Sequence, residues 1–104
     1  MTAESDLNRA ILSYLQAVGV FAWRCNSGAL KNADGVWVKY GRKGMADILG
    51  ILPGGKFLAI EAKVGRAKPT KEQHHFLGEI RRSGGVAILA HTLDDVLREL
   101  EGAL

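Results

Sequence analysis

Between Thr2 and Val18 the apolar residues Leu7, Ala10, Ile11, Tyr14, Leu15 and Val18 recur at the spacing of a helix with one buried face. Thr2 stands where an N-cap belongs, and Gly19 marks the stop. Glu4 precedes Leu7 and Ile11 by one and two turns, which puts it along the edge of the buried stripe rather than straight out to solvent. Val20 to Arg24 then reads as a short strand. Asn26-Ser27-Gly28 and Asn32-Ala33-Asp34-Gly35 are turn chemistry, Val36 to Tyr40 is a second short strand, and Gly41 to Gly44 forms a basic loop.

Two apolar runs follow, Asp47 to Leu52 and Lys56 to Val64, joined by Pro53-Gly54-Gly55. They predict a pair of strands with a tight connection. After the loop Gly65 to Pro69, Thr70-Lys71-Glu72-Gln73 has the spacing of a capping box. The helix it opens turns Phe76, Leu77 and Ile80 inward and ends near Ser83-Gly84-Gly85. Val86 to Ala90 is a compact apolar strand, and Thr92 caps a last helix whose first turn carries Asp94 and Asp95, where the helix dipole favours acids. The order predicts an α/β fold, a mixed central sheet flanked by helices.

At 104 residues and 47% hydrophobic content the sequence is that of one folded domain rather than a disordered chain. No apolar run approaches the roughly 18 to 20 residues a membrane span needs, and MTAESDLNRA lacks the pattern of a signal peptide. The expected compartment is the cytoplasm, or a host cell's cytoplasm for a viral protein. A single Cys25 excludes an internal disulfide, and no Cys or His cluster suits a structural zinc site.

Charge changes the picture more. Val20 to Lys71 holds ten Lys and Arg residues against three acids, Asp34, Asp47 and Glu61. A field of this sign suits a phosphate backbone, which clustered cations bind by releasing counterions. Two of its three acids lie inside or at the edge of the most apolar segment.

Alternation along the second strand puts Phe57, Ala59, Glu61 and Lys63 on one face. If Pro53-Gly54-Gly55 is the whole loop, Leu52 faces Lys56, and counting back equally brings Asp47 opposite Glu61. Directly opposed residues share a face with Cβ atoms about 4.5 to 5.5 Å apart. A bulge at the glycines would shift this register by one residue. Two carboxylates so placed repel, which raises one pKa or calls for a cation. A hard ion such as Mg²⁺ suits them, because it takes one or two carboxylates and fills its shell with water and phosphate oxygens. An ion pair between Lys63 and one of the acids is the simpler alternative.

Gly44-Met45-Ala46-Asp47, the hairpin, Ile60-Glu61-Ala62-Lys63 and the later Gln73 together resemble the PD-(D/E)XK nuclease core, and within it the VRR-NUC branch. The resemblance runs from Glu4 to about Leu100. It implies a restriction-endonuclease-like core with Asp47 and Glu61 as ligands of Mg²⁺ or Mn²⁺, joined by the backbone carbonyl of Ala62. Lys63 would be the catalytic lysine, Gln73 the glutamine at the helix start, and Glu4 the N-terminal-helix glutamate that reaches the metal through water. Ala46 stands where the motif has proline, a position that stiffens the approach to the aspartate without carrying chemistry.

The resemblance also implies hydrolysis of DNA phosphodiesters, and for chains of this length a homodimer that resolves Holliday junctions or other branched DNA. A flap-type or non-specific nuclease, or an inactive nucleic-acid-binding module, are the alternatives. Arg24, Asn26, Ser27, Lys39, Arg42, Lys43, Arg66 and Lys68 are the expected DNA contacts. Adjacent helical residues diverge by about 100°, so His74 and His75 cannot both face one site and are expected at the surface. His91 is expected in a loop. Trp23, Trp37 and Tyr40 are expected more in core or interface than stacked on bases.

Overall fold

A computed structural model describes residues 2–25 and 28–104. The elements run α1 (Ala3–Ala17), β1 (Phe21–Arg24), β2 (Gly28–Lys31), β3 (Trp37–Tyr40), β4 (Ile48–Ile51), β5 (Phe57–Ala62), α2 (Lys71–Arg82), β6 (Val86–Ala90) and α3 (Leu93–Glu99). Each helix begins at the threonine expected to cap it. Thr2 Oγ1 accepts from the Ser5 N–H at 3.0 Å, and Thr70 and Thr92 each open a complete capping box, with Gln73 and Asp95 answering the cap. These bonds satisfy amide donors that a helix start otherwise leaves without partners.

Strands β1, β4, β5 and β6 lie side by side in one mixed sheet. The pairs β1/β4 and β4/β5 are antiparallel, while β5 and β6 run parallel, joined by the α2 crossover. Helices α1 and α3 cover one face. There Ile11, Leu15, Ile48, Leu58, Ile60, Ile88, Val96 and Leu100 form the larger core. Helix α2 covers the other face through Leu77, Phe76 and Ile80, over Ala46, Ala59 and Ala87. With helices on both sides, β5 is buried from Leu58 to Ala62, which explains its nearly unbroken apolar run. Among the described residues no helix is long and apolar enough to cross a membrane.

The segment between the two turns differs from expectation. Gly28–Lys31, with no strand predicted, pairs with Trp37–Tyr40 as a separate two-stranded antiparallel sheet. Four residues framed by turn chemistry are too short to show a period. Of the two places expected for the tryptophans, core or interface, the core does not hold. Trp37 is 66% exposed, and Trp23 packs against Phe21 on the edge strand with ring centroids 5.2 Å apart while remaining exposed. For Trp37 the reason is that a ribbon of two strands has no inner face to bury it.

Gly44 fixes how the loop before β4 meets α2. Its φ is +81°, and a Cβ there would lie 2.5 Å from the backbone oxygen of Glu72. Both the left-handed backbone and the contact demand glycine. Gly44→Ala is expected to lower the unfolding free energy by about 2 to 4 kcal/mol, from backbone strain plus overpacking. A wild-type midpoint in urea denaturation would contradict this packing.

Candidate metal centre

The β4/β5 register pairs Ile48 with Ile60, Leu49 with Ala59, Gly50 with Leu58 and Ile51 with Phe57, and Leu52 N–H donates to Lys56 O at 2.8 Å. No bulge intervenes, so the expected register stands. Asp47 lies one residue before β4 and Glu61 one residue after Ile60, so they meet at the open end of the hairpin. Pairing with β1 extends past the strand, where Cys25 N–H donates to Asp47 O at 2.7 Å. That bond holds the backbone of Asp47 against a neighbour on its other side.

Glu4 of α1 completes the arrangement. One carboxylate oxygen from each of Glu4, Asp47 and Glu61 lies within 4.8 Å of the other two, close enough for all three to ligate one ion. Glu4 was expected to act through water; its carboxylate stands within direct reach of the shared point.

Asp47 is held through one oxygen. Its Oδ2 accepts from the Ala62 backbone N–H at 3.1 Å and from Asn8 Nδ2 at 3.2 Å, and neither bond uses Oδ1. Ala62 thus enters the site through its N–H. Asn8, fully buried on the inner side of α1, also donates from Nδ2 to Glu4 O at 3.2 Å. Two acceptors flank that nitrogen, which assigns the amide orientation. Sequence reading missed Asn8. Its signal was a polar residue among the apolar positions of the α1 stripe, one turn after Glu4.

Glu61 is only 1% exposed. Its Oε2 accepts from Gln73 Nε2 at 2.9 Å and lies 3.5 Å from Lys63 Nζ, while Oε1 is buried without a partner. Gln73 can do this while its Oε1 accepts from the Thr70 N–H at 2.8 Å, so a single amide closes the helix cap and clamps the glutamate. Burial, then the Asp47 charge, push the Glu61 carboxyl up to about 7 against the opposing pull of Lys63. An unpartnered buried carboxylate oxygen beside two other carboxylates is what a proton or a cation relieves. Three hard oxygen donors of this kind fit Mg²⁺ or Mn²⁺ better than a softer ion.

The basic residues divide around α2. Arg42 and Lys43 border a cavity along α2 with Lys71 and His75, where Lys43 pairs with Glu72 at 3.4 Å. Arg66 and Lys68 line a different concavity with His74 and His91. Arg24 ends β1, exposed, and Lys39 is exposed on the β2–β3 ribbon. Asn26 and Ser27 lie outside the described residues. His74 and His75 are both exposed, as expected. His91, after β6, also braces the chain where it leaves β5. Its Nδ1 lies 2.9 Å from Lys63 O, and because a carbonyl only accepts, this nitrogen carries the proton.

No protein-family model matches the chain, and no curated protein matches its sequence.

Two consequences are measurable. A carboxyl whose pKa rises from 4.5 unfolded to about 7 folded binds more protons in the folded state, so its contribution to stability is present at low pH and lost as pH climbs through that window. The metal-free protein is expected to lose on the order of 3 kcal/mol between pH 4.5 and 7.5 from this group, at about 1.4 kcal/mol per unit. Glu61→Gln should flatten that slope in denaturation curves taken across the range; an unchanged slope would count against the assignment. Asn8→Ala removes the side-chain donor to Asp47 and empties a buried site, with an expected loss of about 1 to 3 kcal/mol. Calorimetry should also find weaker Mn²⁺ binding in this variant, and wild-type affinity would refute the role given to Asn8.

Proposed function

We propose that the chain is a divalent-metal-dependent DNA endonuclease of the PD-(D/E)XK type, VRR-NUC-like, with a restriction-endonuclease-like core. The observation that carries this reading is the meeting of Glu4, Asp47 and Glu61 within 4.8 Å of one another, with Glu61 buried and Lys63 alongside. Glu4, Asp47 and Glu61 are the residues that would hold Mg²⁺ or Mn²⁺. When bound, such an ion supplies charge stabilisation at a phosphate and a more acidic water.

The chain's own residues do the rest. Asn8 and the Ala62 N–H fix Asp47 through Oδ2, and neither bond uses Oδ1. Gln73 holds Glu61 so that the glutamate cannot swing to relieve its repulsion from Asp47. Lys63 keeps its ammonium 3.5 Å from Glu61 and is only 14% exposed at the side chain, near enough to the cluster to orient an attacking water or to stabilise charge on the phosphate. Arg42, Lys43, Arg66 and Lys68, on exposed loops to either side of α2, supply backbone contacts that carry no sequence information. A chain built this way selects DNA by shape, and paired nicks at a branch need two sites; we therefore propose a homodimer acting on branched DNA, with Holliday-junction-type resolution as the leading activity.

Incubation of labelled four-way junction, flap and linear duplex with Mg²⁺, Mn²⁺ or EDTA tests this directly. Paired nicks in the junction are expected, abolished by EDTA and reduced at least about 10²-fold by Asp47→Ala or Lys63→Ala. Cutting that survives EDTA would remove the metal mechanism. Equal cutting of all three substrates would remove the junction preference and favour a non-specific nuclease, and binding without cutting would favour an inactive nucleic-acid-binding module. Light scattering that finds a monomer under conditions of paired nicking would contradict the dimer.

A further inference from the structure

The concavity beside α2 that contains Arg66 and Lys68 has a volume of about 460 Å³, and none of the described residues lining it is acidic. Parts of its lining are tied by chain or by ladder to the carboxylate cluster and its lysine. Leu89, on its floor, is the β6 partner of Glu61 in the parallel ladder, so the two residues stand on neighbouring strands about 4.8 Å apart. His74 follows Gln73, the clamp on Glu61. Arg66 and Lys68 belong to the loop that leaves Lys63, and His91 fastens the other side of that loop by its bond to Lys63 O.

We propose that this concavity is a second phosphate subsite, taking a backbone phosphate of the polynucleotide that neighbours the reacting one. The inference rests on the nuclease reading for the identity of the strand, but not for the chemistry of the pocket. The Arg66 guanidinium offers a planar fork of donors and the Lys68 ammonium a compact charge, the two kinds of group that bind phosphate oxygens. Leu89 and Pro69 add an apolar surface against which a sugar edge can rest. The centre next door is acidic and would repel a polyanion without a cation in place. A cationic pocket one strand away offsets that repulsion and holds the strand in register with Glu61 and Lys63, whether or not the metal has arrived.

The test uses the metal-free protein in EDTA at constant pH, with inorganic phosphate as the probe and the ring signals of His74 and His91 followed by NMR. Saturable shifts of both signals are expected, with the apparent dissociation constant raised about tenfold or more in Arg66→Ala/Lys68→Ala, as loss of one or more charge-assisted bonds implies. Arg66 and Lys68 are exposed, so the dispersion of the amide spectrum should confirm that this variant folds. Asp47→Ala, which removes a negative charge from the neighbouring centre, should bind phosphate at least as tightly as the wild type. In DNA cleavage the double variant should raise KM by a larger factor than it lowers kcat. Shifts that fail to saturate, or that saturate equally in the double variant, would overturn the subsite. Phosphate binding here by a protein that cuts no DNA would leave the subsite standing and remove the nuclease reading; cleavage of DNA without saturable phosphate binding here would do the reverse.

Discussion

Three carboxylates brought within 4.8 Å of one another, one of them buried, repel, and much of the local structure is arranged to hold them against that repulsion. Asn8 and the Ala62 N–H pin Asp47, Gln73 pins Glu61, and Lys63 supplies the nearest positive charge. These restraints come from α1, from β5 and from α2, so the cluster is fixed only when the elements from both faces of the sheet have docked. Glu61 Oε1 remains without a partner, and so does the buried Asn8 Oδ1. Burial first, and the Asp47 charge second, raise the Glu61 pKa even with Lys63 alongside.

The sheet makes such a site sustainable. Strand β5 has a neighbour on each side and helices over both faces, so its backbone is held by two ladders and its side chains by two cores. Glu61, near the end of that strand, sits on a rigid base rather than on a loop. The residues suited to phosphate lie instead on exposed segments, in the loops before β4 and after β5. In the proposed nuclease, the rigid acids would position and the exposed cations would attract.

Parts of this were legible because they depend on neighbours in sequence. A three-residue connection and a period of two are enough to place Asp47 across from Glu61, and the structure keeps that register without a bulge. The capping threonines, the spans of α1 and α2, and the strand Val86–Ala90 follow from equally local rules. Strand β2 was not legible, because four residues between two turns carry no usable period, and the exposure of Trp37 followed from the ribbon having no covering layer.

The sequence by itself therefore determined the hairpin, the helix starts and, for a turn without a bulge, the register that makes Asp47, Glu61 and Lys63 one candidate group, since each rests on hydrogen bonds or alternation within a short span of chain; the structure decided that no bulge intervenes. Only the tertiary structure decided that Glu4 joins the acids directly, that Asn8 holds Asp47 across 39 positions of sequence, that Gln73 reaches Glu61, and that His91 ties Lys63 to the end of β6. Those contacts join α1, α2 and β6 to the hairpin through the packing of two cores, and the depth of burial that shifts Glu61 exists only once both cores have closed.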